Sequence, residues 1–127
     1  MSKATKIKNI CEYYLSDYIK RDKERKPWDP DEWDNLKVNK NFVLAPLLYI
    51  SGQGLSIWCD LYFLDNNSNF CKLSNYSYTF RGNETKDLKE AQKVLDDIDK
   101  LSTKTKRLNT LPVVNNSDLG RKLKIIK

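Results

Sequence analysis

A chain of 127 residues, 39% hydrophobic and 31% charged, has room for one domain with one core and is too apolar for a disordered segment. It carries a net charge of +6 and has no histidine, which removes imidazole bases, Ser-His and Cys-His nucleophile systems and most zinc chemistry. No run approaches the ~18 apolar residues of a membrane span, and the opening MSKATKIKNI lacks the apolar stretch of a signal peptide, so no membrane partner and a cytoplasmic location are expected.

The positive charge is uneven. Residues 1–27 hold eight Lys/Arg against four acids, residues 28–36 hold four acids and no base, and residues 109–127 hold four bases against Asp118. Such a balance favours an acidic partner, nucleic acid first. The plainer source is composition, since lysine far outnumbers arginine, as in proteins of AT-rich genomes.

The first element is a basic N-terminal helix over about residues 4–24. Ile7, Ile10, Cys11, Tyr14, Leu15, Tyr18 and Ile19 form one stripe of helical period, and Pro27 stops the helix. In WDPDEWDNL, Asp29 can cap, Pro30 suits a first helical position and Glu32 sits where a capping-box acid belongs. A short helix from Pro30 to about Leu36 is expected, setting Trp28 and Trp33 against the body. Asp29, Asp31, Glu32 and Asp34 lack the glycine and distal glutamate of a calcium loop, so helix N-terminal acids are the better account.

Three strands follow, at 41–50, 55–64 and 69–80, within a sheet region 41–80. The turns SGQG and DNNS join them, and two-residue turns at Gly52-Gln53 and Asn66-Asn67 would set the register. One face then collects Phe42, Leu44, Leu48, Ile50, Leu55, Ile57, Cys59, Leu61, Phe63, Phe70, Tyr76, Tyr78 and Phe80 as the main core. The other collects Val43, Ala45, Leu47, Tyr49, Trp58, Tyr62, Leu64, Cys71 and Leu73. A three-residue turn in either hairpin would swap the faces beyond it. Pro46 cannot donate to a ladder, which predicts that the first strand is an edge.

A long helix over 84–107 carries Leu88, Ala91, Leu95, Ile98 and Leu101 as its apolar stripe. In the basic tail, 109–127, LPVV and KLKIIK could each be a short strand or a docked extended segment. The fold expected is a single α+β domain: a three-stranded antiparallel meander, an N-terminal helix, a short helix, a long C-terminal helix and an extra short strand in the tail. Both faces of that sheet are apolar, and one layer of helix covers one of them. The other needs its own cover, because leaving a large side chain exposed forgoes ~1.5–3 kcal/mol.

Cys11, Cys59 and Cys71 are odd in number, widely spaced and set in apolar pattern, which predicts reduced core thiols; no metal site and no cofactor are expected. The acids Asp96, Asp97 and Asp99 lie on one helix flank, and nothing places two of them in a cleft, so no enzymatic activity is expected. The four glycines are turn-like and form no phosphate loop.

Two binding surfaces remain. Lys20, Arg21, Lys23, Arg25 and Lys26, then Lys100, Lys104, Lys106 and Arg107, then Arg121, Lys122 and Lys124 would make one phosphate-binding patch if the tail folds back. Trp28, Trp33, Tyr49, Trp58 and Tyr62 would serve a protein partner, since Trp and Tyr dominate such surfaces. Tyr49, Trp58 and Tyr62 could also stack unpaired bases, but few cations stand near them, and Lys72 falls on the other face in this register.

The order helix, three strands, helix resembles the double-stranded-RNA-binding domain. That family places a lysine cluster at the start of its last helix. Here the matching stretch is ETKDLKEAQ, in which Glu84, Asp87 and Glu90 would repel phosphates, so the likeness stops at architecture. The expected function is a small basic non-enzymatic protein acting on nucleic acid or a nucleoprotein complex. The alternative is a protein-binding inhibitor or adaptor of the phage or mobile-element accessory kind, with homodimerisation through the same apolar face as a variant of it.

Overall fold

The N-terminal stripe forms α1, Lys3–Lys23, in the computed structural model, which describes residues 1–114 and 117–127. Ser2 caps it by accepting the Thr5 N–H at 3.1 Å. Ala4, Ile7, Cys11, Tyr14 and Leu15 are buried, whereas Ile19 is exposed: the last turn meets Trp28 through Tyr18, edge-on at 4.8 Å.

The expected short helix is shorter. Pro30–Glu32 is one turn of 3₁₀ helix, capped by Asp29, and Asn35–Lys37 is a strand, β1. The reason lies at Trp33, which leaves the turn in extended backbone, is buried, and stacks on Tyr14 at 4.9 Å and 11°. From there the chain runs beside β2, Phe42–Ser51, with Leu36 opposite Leu44.

The sheet has five strands rather than three. With β3, Gly54–Leu64, β4, Phe70–Phe80, and β5, Leu123–Ile125, the order is β4-β3-β2-β1-β5; β5 runs parallel to β1 and the other pairs are antiparallel. β2 is therefore not an edge. Pro46 is tolerated because β1 pairs no further than Leu44, and the Pro46 carbonyl accepts from Arg121 at 3.0 Å.

The β2–β3 hairpin closes on Gly52-Gln53, with Ser51 opposite Gly54, as the spacing predicts. The β3–β4 turn does not. Leu64 pairs with Phe70, and three residues, 66–68, make the turn, with Ser68 left-handed at φ 63°. Asp65 holds it by accepting the N–H groups of Asn67 and Asn69. The extra residue moves Cys71 and Leu73 into the main core and Phe70 to the opposite face. Further along β4 a bulge swaps the faces back. Asp60 faces Ser77 and Tyr62 faces Lys72, so two steps on β3 span five on β4. Asn75, inside this bulge, is left-handed at φ 72°. Tyr78 and Phe80 thereby return to the core.

The long helix is two. α2, Glu84–Ser102, is capped by Asn83, and α3, Thr105–Leu108, follows a break at 103–104. The break sits where Ser102, Thr103 and Thr105 hydroxyls donate to the carbonyls of Ile98, Lys100 and Ser102. α1 and α2 pack together over the main face. No described helix is long and apolar enough to cross a membrane.

The second face is covered in part by the tail, of which residues 115–116 lie outside the described residues. The Val114 N–H bonds the Phe70 carbonyl at 2.8 Å. A 3₁₀ turn, Ser117–Gly120, seats Leu119 on Ala45 and Tyr62. Arg121 then clasps the Asn35 side chain at 2.8 Å, and Ile126 enters the main core. Val43, Ala45 and Tyr62 are sealed, Leu47 and Trp58 are half-buried, and Tyr49 stays 47% exposed.

Candidate nucleic-acid interface

The cations named from the sequence do not form one patch. At the end of α1, Arg21 pairs with Asp17 at 3.1 Å and Glu32 at 3.4 Å, and Lys26 pairs with Glu24. The concavity there, about 480 Å³, is bordered by Lys20, Arg21 and Lys26 but also by Asp17, Glu24, Asp29 and Glu32. Lys23 and Arg25 are exposed beside it. Arg121 is a structural clasp, bonded to Asn35, Pro46 and Pro30. Lys122 borders Asp31, and Lys124 lies on β5. Lys100, Lys104, Lys106 and Arg107 sit across the sheet beside β4. At roughly 4.8 Å per strand spacing, β4 and β5 are about 19 Å apart, so the tail does not join the two groups.

Of the aromatics, Trp33 and Tyr62 are core, and Trp28 is half-buried between Tyr18 and Trp33. Tyr49 and Trp58 remain reachable, 5.3 Å apart on the open end of the second face. The Trp58 indole N–H donates to Asp60 at 2.9 Å, which sets a carboxylate beside the ring. Lys72 shares that face after all, 3.7 Å from Asp60.

A different set of cations lines the side where α2 runs along β4. Lys86, Lys89 and Lys93 border one concavity with Arg81, and with Asp87 and Glu90, about 460 Å³ in size. Lys104 and Arg107 border another of about 280 Å³ at the far end. Lys86, Lys89, Lys93 and Lys100 fall at i, i+3, i+7 and i+14, which is one face of α2, and Lys104 follows just past its end. Among the described residues, no ion pair engages any of them or Arg107.

Of the acids that argue against this stretch in sequence, Asp87 and Glu90 are turned to β4 and the residues just after it, whereas Glu84 stays exposed, 3.8 Å from Lys8 of α1. Asp87 is buried and accepts the Arg81 and Gly82 N–H groups at 3.0 and 2.9 Å. Glu90 accepts the Thr79 N–H at 3.1 Å, and Asp97 accepts the Tyr78 hydroxyl at 2.8 Å. Seven cations (Arg81, Lys86, Lys89, Lys93, Lys100, Lys104, Arg107) stand on this side with Asp87, Glu90, Asp97 and the exposed Asp96, which accepts from Gln92, a local excess of three positive charges. Of the missed residues, Lys86, Lys89 and Lys93 had a signal, their helical period, hidden by interleaved acids; Arg81, which precedes the helix, had none.

Other groups hold no comparable chemistry. The thiols of Cys11 and Cys59 touch at 3.7 Å, and burial pushes Cys11 up, away from a reactive thiolate. Among the described residues, no group of three or more Cys, Asp or Glu could hold a metal ion. No protein-family model, no curated protein and no solved structure matches this chain.

Proposed function

We propose that this is a small basic binding protein, without a catalytic role, that holds nucleic acid, free or within a nucleoprotein complex, along the α2 side of its sheet. The observation that supports it is the lysine row on α2, whose carboxylate neighbours Asp87, Glu90 and Asp97 are occupied with donors of β4 and the residues just after it. From Lys86 to Lys100 the row is about 21 Å long at 1.5 Å per residue. That matches about six phosphate steps of one strand of a duplex at 3.4 Å each. The variant K86Q/K89Q/K93Q should bind a fluorescent 20-nucleotide strand at least tenfold more weakly than wild type. The variant K20Q/K23Q, at the end of α1, should stay within twofold. The proposal fails if the α1 variant is the damaging one, or if neither matters.

A second reading rests on the open end of the second face. Tyr49 is 47% exposed beside the half-buried Trp58, and the tail stops short of them. Such a patch suits a protein partner, as an inhibitor or adaptor of the phage or mobile-element kind, or a second copy of the chain. The variant Y49S/W58S should then keep its melting temperature within a few degrees and lose any dimer seen by light scattering. A strictly monomeric wild type at high concentration discards the second copy.

A further inference from the structure

Resting on that reading, we infer that the nucleic acid is single-stranded and seats one unpaired base against Tyr76, in the groove that ends the lysine row. The groove has a floor of Leu73, Tyr76, Leu101, Leu108 and Leu111, with Lys104 and Arg107 beside it, and no carboxylate lines it. Its volume of about 280 Å³ is at the small end of ligand sites, which run about 300–1,000 Å³. That is room for one planar ring, not for an extended ligand.

The backbone is shaped for this. The groove is floored by the β4 bulge, where residues 73–76 oppose Leu61 alone. A regular ladder would carry these residues straight on. The bulge instead holds Asn75 left-handed, a conformation costly for a residue with a Cβ and one that gathers at binding sites. The strand edge on either side is closed, by Val114 on the Phe70 carbonyl and by Glu90 on the Thr79 N–H. The bulge is therefore the segment of this edge left between two covers.

A leucine floor with one half-buried tyrosine and flanking cations fits a single base with its phosphates. A paired base lies within its stack and cannot enter, so the groove selects against duplex. The Tyr49–Trp58 pair is less suited, because Asp60 stands at the Trp58 indole. A strand seated here continues toward Lys93, Lys89 and Lys86.

The test compares a labelled 12-nucleotide strand with its matched duplex, by fluorescence anisotropy at low salt. Wild type should bind the single strand at least fivefold more tightly than the duplex, a measurement that needs no variant. Tyr76→Leu should lose at least fivefold on the single strand and nothing on the duplex. Tyr76→Phe, which keeps the ring, should stay within twofold. Equal wild-type affinity for strand and duplex would overturn the base-seating inference while leaving the lysine row as a phosphate site. No binding of either would overturn both.

Discussion

Asp87, Glu90 and Asp97 show how single side chains change the meaning of a charge pattern. Along the sequence Asp87 and Glu90 cancel the lysines of ETKDLKEAQ; in the fold they and Asp97 are hydrogen-bond acceptors for β4 and the two residues after it. Which carboxylate meets which donor depends on tertiary contact, so this was not legible, although the lysine period was. The Tyr78–Asp97 bond has a consequence for pH. Burial first, then this bond, raise the Tyr78 phenol above its ordinary value, and burial likewise raises Tyr14 and Cys11. A raised group stays protonated in the folded chain while the unfolded chain ionises, from about pH 8.5 for cysteine and about pH 10 for tyrosine. Stability is therefore full below those values and is lost as pH rises through them. The melting temperature should fall from about pH 9 upward. Tyr78→Phe should cost about 1 kcal/mol at neutral pH, from the lost hydrogen bond, and decline less steeply above pH 10. Parallel declines of the two proteins would contradict this.

At the scale of elements, periodicity located α1, three strands and the start of α2 to within one or two residues. Positions that depend on single backbone conformations were less legible. The three-residue turn at 66–68 and the bulge around Asn75 each swap the faces of β4, and the two cancel by Tyr78. A regular ladder thus predicts both ends of the core correctly and misplaces Phe70, Cys71 and Leu73 between them. β1 is three residues long and has no sequence signature of its own, whereas β5 falls in KLKIIK, where a short tail strand is expected; that it pairs in parallel with β1 was not legible. The left-handed Asn75 gives a direct check on the bulge. Asn75→Gly should leave thermal stability near wild type, and Asn75→Val should cost roughly 1–3 kcal/mol in a denaturant titration. Equal stability of the two variants would mean that the bulge is not held in this conformation.

Taken whole, the molecule answers the question posed by its two greasy sheet faces with two different covers. Helices α1 and α2 close one, and the chain's own tail closes part of the other through Val114, Leu119 and Arg121. What stays open is the Tyr49–Trp58 end, and what stays charged is the α2 side. Among the cations of the basic ends, Arg21, Lys26 and Arg121 serve contacts within the chain. The functional claim concerns phosphates, and phosphate binding has a salt signature. The direct measurement is the affinity of the wild-type protein for a labelled single strand between 50 and 200 mM salt. With about five cations engaged, the log–log slope should lie near −3.5, a loss of roughly 100-fold over that range, and K86Q/K89Q/K93Q should flatten it by about two units. A slope near zero, or a slope the variant leaves unchanged, would contradict the account.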